Sequence, residues 1–86
     1  MKIRYNQEKE NILKQKRNIS FEEVKLAIDK KEFTITKNPK TGRENQYLIV
    51  FKHNNYPYIC PFIIESDWTL FLKTIYPDRK YKNFIN

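Results

Sequence analysis

The sequence predicts an α+β domain, with two helices packed on one face of an antiparallel meander sheet of about four strands. Lys2–Tyr5 alternates and is a candidate short extra strand at the N-terminus. Three observations carry this fold class. A helix-start signal stands at Ser20, the hydrophobic period changes to two after Lys31, and clusters of turn residues cut the remainder into apolar β runs.

Asn6 suits the N-cap of a first helix from Gln7 to about Lys16, with Glu8 and Glu10 near its positive end. The apolar side of this helix is thin, Ile12 and Leu13 only, so it must lean on other elements. Asn18 tolerates the left-handed conformation that a tight link to the next helix needs. Ser20-Phe21-Glu22-Glu23 has the S-x-x-E spacing of a capping box, in which Glu23 reaches back to the Ser20 amide. Ile19 and Val24 occupy the hydrophobic-staple positions. Phe21, Val24, Ala27 and Ile28 form one apolar stripe, and the helix should end near Lys30-Lys31.

Phe33 to Lys37 alternates as a strand, and Asn38 to Arg43 is a turn cluster. Gln46 to Lys52 is a nearly continuous apolar run, expected to be central. His53-Asn54-Asn55 turns the chain into a third strand, Tyr56 to Ile64. Pro57 and Pro61 remove donors from one lateral side of it, so that side should be an edge or an irregular pairing. Trp68 to Tyr76 reads as a fourth strand closed by Pro77, before a basic, aromatic tail.

The chain has 86 residues and a net charge of +7, which is one domain, residues 1–86. Basic patches recur in residues 1–19, 33–52 and 69–86, which suggests a polyanionic partner: nucleic acid or an acidic protein. One cysteine, Cys60, excludes an intrachain disulfide and a cysteine zinc cluster; its alternation with Tyr58 and Phe62 makes it a small core residue. No apolar stretch reaches the length of a membrane span. The opening residues lack the apolar core of a signal peptide, so a cytoplasmic location is expected. No Walker loop, Rossmann fingerprint, H-E-x-x-H or EF-hand spacing occurs, and no cofactor is expected.

The segment Leu13-Lys14-Gln15-Lys16-Arg17-Asn18-Ile19-Ser20-Phe21-Glu22-Glu23 resembles the L-x-K-H-G-V-S-F-E-E segment of BrnT-type toxins. Leu72 to Lys80 resembles that family's last strand and basic tail. Two departures stand out: Arg17-Asn18 replaces the usual His-Gly, and Pro77-Asp78 interrupts the approach to the Arg. The resemblance implies a RelE/ParE-like fold and the toxin of a type II toxin–antitoxin pair. It implies an RNA-cleaving enzyme that needs no metal, a cognate antitoxin as partner, and contact with DNA only through the antitoxin complex.

Such chemistry needs cations around a phosphorane-like transition state and groups that give and take a proton. The candidate cluster is Lys73, Tyr76, Arg79, Lys80 and Tyr81. Arg79 and Lys80 are placed on the scissile phosphate. Lys73, Tyr76 or His53 would transfer protons, and Lys73 interrupts what reads as a buried face shared with Phe71 and Ile75. Tyr81, Lys52, Lys40 and Arg43 would bind RNA, and Tyr56, Tyr58 and Tyr76 could also stack on bases. Two other classes stay open: a basic nucleic-acid-binding module without catalysis, and a structural subunit that binds an acidic protein.

Overall fold

A computed structural model describes residues 2–85; the first and last residues of the expected domain lie outside the described residues. The chain runs β1 (Ile3–Tyr5), α1 (Gln7–Arg17), α2 (Phe21–Asp29), β2 (Phe33–Lys37), β3 (Tyr47–His53), β4 (Tyr56–Ile64), β5 (Leu70–Leu72), β6 (Tyr76–Pro77) and a 3₁₀ segment, Arg79–Phe84. The fold is α+β. The sheet order is β1-β5-β4-β3-β2, with β6 on β4 beyond the end of β5.

Both helices start where the caps predict. The Lys9 amide donates to Asn6 Oδ1 at 3.0 Å, and the Glu22 amide donates to Ser20 Oγ at 3.0 Å. Asn18 takes φ 53° and closes α1. The capping box, however, is built with a different acid. Glu10 of α1, 2% exposed, accepts from Ser20 Oγ at 2.6 Å and from the Phe21 amide at 2.9 Å. Glu23 leaves that role and lies 3.9 Å from His53 Nδ1. A carboxylate on the preceding helix therefore satisfies an orphan amide of the next one, and locks the two helices together. This compensates for the thin apolar side of α1, where Leu13 is buried and Ile12 is 44% exposed.

One sheet face carries the main core. Ile49, Phe51, Cys60, Phe62, Leu70, Leu72 and Ile75 meet Leu13, Ile19, Phe21, Val24 and Ala27 from the helices. The opposite face carries a smaller cluster, Leu48, Val50, Ile59 and Tyr81, with Tyr76 and Ile85 against it. The basic tail is therefore a folded cover for the second face.

The sheet differs from the expected meander in two ways. It is mixed, because β1 lies parallel to β5 (Ile3↔Leu70 to Tyr5↔Leu72). The helices carry the chain from β1 to the far edge, and the meander then walks back to it. Second, the expected strand Trp68–Tyr76 is broken. Phe62 pairs with Leu72, but Ile59 pairs with Tyr76, so Lys73, Thr74 and Ile75 stand opposite only Cys60 and Pro61. That is a one-residue bulge. The prolines explain it. The carbonyls of Pro61 and Pro57 accept from the Lys73 and Asp78 amides, so their donorless nitrogens face the same side. This is the irregular pairing that the proline spacing anticipated, in a strand paired on both sides.

The bulge also switches side-chain parity. Leu72 and Ile75 both point into the main core, while Lys73 stands outside, exposed, its Nζ 5.1 Å from the Phe71 ring centroid. Lys73 therefore does not interrupt a buried face. Arg17 Nη1 donates to the Ile75 carbonyl at 2.6 Å, which ties the end of α1 to the bulge.

Two outcomes follow for stability. Glu10→Ala should cost ~2–3 kcal/mol, because it strips charge-assisted hydrogen bonds from a buried helix start. Ser20→Ala should cost only ~1 kcal/mol, measured alongside it by urea unfolding; equal losses would show that Glu10 adds nothing beyond an ordinary cap.

The acid side is the second. Arg4 pairs with Glu65 at 2.9 Å and, chiefly through that hydrogen bond and then its charge, holds the Glu65 carboxyl below its ordinary range. The Tyr5 hydroxyl, by its hydrogen bond, lowers Glu22. A depressed carboxylate contributes stability that is present above its unfolded value and is lost as pH falls through the folded one. The melting temperature should therefore drop on acidification below the ordinary carboxylate range, and Arg4→Ala should make that drop shallower.

Candidate functional site

A basic, open groove of about 790 Å³ lies between the tip of the β3–β4 hairpin and the 3₁₀ segment. Lys52, Arg79 and Lys82 supply its charge, Asn55 and Asn83 its carboxamides, and Tyr56, Pro57 and Ile85 its remaining walls.

Each part has a local cause. Lys52 follows Leu48 and Val50 on the alternating face that looks away from the helices, at a point where β3 has run past the end of β2 (Phe33↔Phe51). Asn54 and Asn55, with φ of 53° and 60°, form a two-residue turn closed by the pair His53↔Tyr56. Both central residues at positive φ make this a type I′ turn, which matches strand twist and fixes the tip. On the other wall the Asp78 amide is held by the Pro57 carbonyl at 3.1 Å. Asp78 then caps the 3₁₀ segment, its Oδ1 accepting from the Lys80 amide at 3.0 Å. Tyr81, 9% exposed, anchors the segment on the second core. The segment kinks at Tyr81, and Arg79 before the kink and Lys82 after it both line the groove with Lys52.

No acidic residue lines this groove among the described residues. Three cations border one concavity whose described lining holds no carboxylate, a charge pattern that suits an anion such as a phosphodiester. An adjoining notch of about 370 Å³ shares Lys52 and Ile85, but mixes Lys30 with Glu23 and Glu32. It has no such bias. Among the described residues, no three His, Cys, Asp or Glu side chains gather in a metal-binding arrangement.

The groove brings together only part of the residue set expected from sequence. Arg79 and Lys52 line it. Lys80 is exposed next to it, its Nζ 5.9 Å from the Tyr81 ring centroid. Tyr81 itself is buried and unavailable for stacking on RNA. Tyr76 is half-buried against the second core, and burial, then the charge of Asp78, raises its phenol above the ordinary value. That shift favours the protonated phenol.

The other candidates lie elsewhere. Lys73 sits beside Pro61, a run of β4 that is roughly 13 Å from Pro57 and the groove. It shares the Phe71 ring with Arg4, whose guanidinium is 5.1 Å from the centroid. His53 lies on the helix side of the sheet, near Glu23 and edge-on to Tyr58 at 5.2 Å. Lys40 and Arg43 occupy the β2–β3 loop, at the opposite end of β3, roughly 20 Å away along the strand.

Lys82, Asn55 and Asn83 were not singled out by the sequence. The signal for Lys82 was present in charge alone: it belongs to the same run of cations after Asp78 as Arg79 and Lys80. The carboxamides carry no pattern that distinguishes them from ordinary turn residues.

No family model matches the chain, and neither a curated protein nor a solved structure matches it.

Cys60 takes no part in any of this. Burial pushes its thiol far above the ordinary range. It should resist alkylation in the native state and react at the rate of unfolding; rapid labelling of the folded protein would contradict its place in the core.

Proposed function

We propose that the chain is a metal-independent endoribonuclease toxin of a type II toxin–antitoxin pair, acting on RNA in the cytoplasm and neutralised by a cognate antitoxin. The single observation that carries the RNA reading is the groove in which Arg79, Lys82 and Lys52 converge and no carboxylate intervenes among the described residues. The toxin reading rests on the BrnT-like segments around Ser20 and Arg79. The α+β order, two helices ahead of a meander, supports it.

In the reaction, the ribose 2′-oxygen bonds to the adjacent phosphorus and gives up its proton, while the P–O5′ bond breaks and the 5′-oxygen takes a proton. The products are a 2′,3′-cyclic phosphate and a 5′-hydroxyl. The crowded, more negative phosphorane between them is what the cations stabilise. Arg79 grips two phosphate oxygens in its planar fork, and Lys82 and Lys52 act as point charges. Tyr56, the phenol that borders the groove, donates a proton to the leaving 5′-oxygen and solvent water takes the 2′-proton, since Lys73, Tyr76 and His53 lie outside the groove. The antitoxin would cover the groove, and Trp68, 79% exposed on the β4–β5 turn at the other end of β4, is a separate large apolar side chain for it to bury.

A second reading, RNA binding without cleavage, is favoured by one observation: no histidine lines the groove among the described residues.

Arg79→Ala separates the two. For an enzyme, cleavage should fall about a hundredfold to a thousandfold while affinity for an uncleavable analogue changes far less. For a binder, affinity should fall evenly across sequences and the salt slope should lose about one unit. Expression of the wild-type chain in bacteria should arrest growth with RNA fragmentation, insensitive to EDTA in vitro. Intact RNA in cells that keep growing would sink the toxin reading. Addition of the cognate antitoxin should raise the melting temperature.

A further inference from the structure

The cations of the groove can hold any phosphodiester, so they give affinity without choice of sequence. What could discriminate is next to them. Asn55 and Asn83 border the same groove, and each carboxamide presents donors and an acceptor side by side. Neither side chain is tied down by a hydrogen bond among the described residues. Pro57 and Ile85 supply an apolar floor, and Tyr56, 41% exposed, borders it. The groove's volume is that of a site for a nucleotide-sized ligand.

The position of Asn55 adds a separate argument. It is the second central residue of a type I′ turn, with φ of 60°. Glycine fits that position with the least strain, and Asn-Gly is the preferred pair. Folding alone therefore asks for no side chain there. The chain nevertheless places a carboxamide at the rim of this basic groove, on a turn too short to move freely.

We propose that this groove holds one unstacked nucleotide of single-stranded RNA, with Asn55 and Asn83 reading the base edge while Arg79, Lys82 and Lys52 hold the flanking phosphates. This rests on the RNA reading above and adds the strandedness and the residues that set base preference. A single strand is required because a base edge inside an A-form duplex is out of reach of a short turn, whereas a splayed base can lie on the apolar floor.

The test uses the full chain and 2′-O-methyl RNA octamers of A, C or U, which cannot be cleaved because the attacking oxygen is capped. The wild type should prefer one tract by about fivefold or more, the worth of one net hydrogen bond. It should bind that tract better than a duplex of equal length. Asn55→Gly should keep the melting temperature, or raise it, and yet lose that preference through weaker binding of the favoured tract. Asn83→Ala should do the same, and Arg79→Ala should weaken all three tracts alike.

Equal affinity of the wild type for all tracts, or stronger binding to duplex, overturns the inference and leaves the RNA reading standing. So does a preference that survives both asparagine variants. No affinity for any RNA, or affinity for an acidic peptide instead, brings down both together.

Discussion

Two prolines on one side of β4 shape the half of this molecule that carries the groove. Pro57 and Pro61 withhold donors from the lateral side that faces β5 and β6. A regular strand cannot pair along that side, so the chain inserts an extra residue between Leu72 and Tyr76. The bulge returns Ile75 to the main core, while Lys73 keeps the outward side that it shares with Phe71. It also sets the direction in which the chain leaves β6, over the second sheet face. Arg79 and Lys82 reach the tip of the β3–β4 hairpin because of that exit. The Arg17 hydrogen bond to the Ile75 carbonyl anchors the same bulge from the helix side.

The helix layer is held by polar geometry as much as by apolar area. α1 buries little, yet it is fixed at both ends: by Glu10 on the start of α2, and by Arg17 on the bulge. Each of these side chains satisfies a backbone group that would otherwise lack a partner near the protein interior. A small domain with no disulfide gains order this way without enlarging its core.

The sequence made the α+β class, both N-caps, the left-handed Asn18 and the strands Phe33–Lys37 and Tyr56–Ile64 legible, because these follow from local chemistry: caps, periodicity and turn residues. What it hid was non-local. Glu10 lies ten residues before Ser20, and nothing in its spacing distinguishes it from a first-turn acid. The parallel pairing of β1 with β5 depends on how the meander folds back. The break at Lys73 was half visible: the prolines announced an irregular side of β4, but not that the irregularity would fall on the neighbouring strand and reverse its parity. The site was legible in charge and not in position. Arg79 and Lys52 converge, whereas His53 and Lys73 are separated from them by the sheet and by the length of β4.

The pairing of β1 with β5 also governs the order in which shape is acquired. The first strand made must wait for a partner 67 residues later, Ile3 for Leu70. Contacts of such sequence separation form slowly, because a long loop must close before they repay the lost freedom. The groove waits longer still, since its two walls come from residues 52–57 and 79–85. A growing chain can therefore form its helices and the β2–β3–β4 hairpins while the groove still lacks one wall. Its cations come together only when residues 79–85 have folded over the second sheet face.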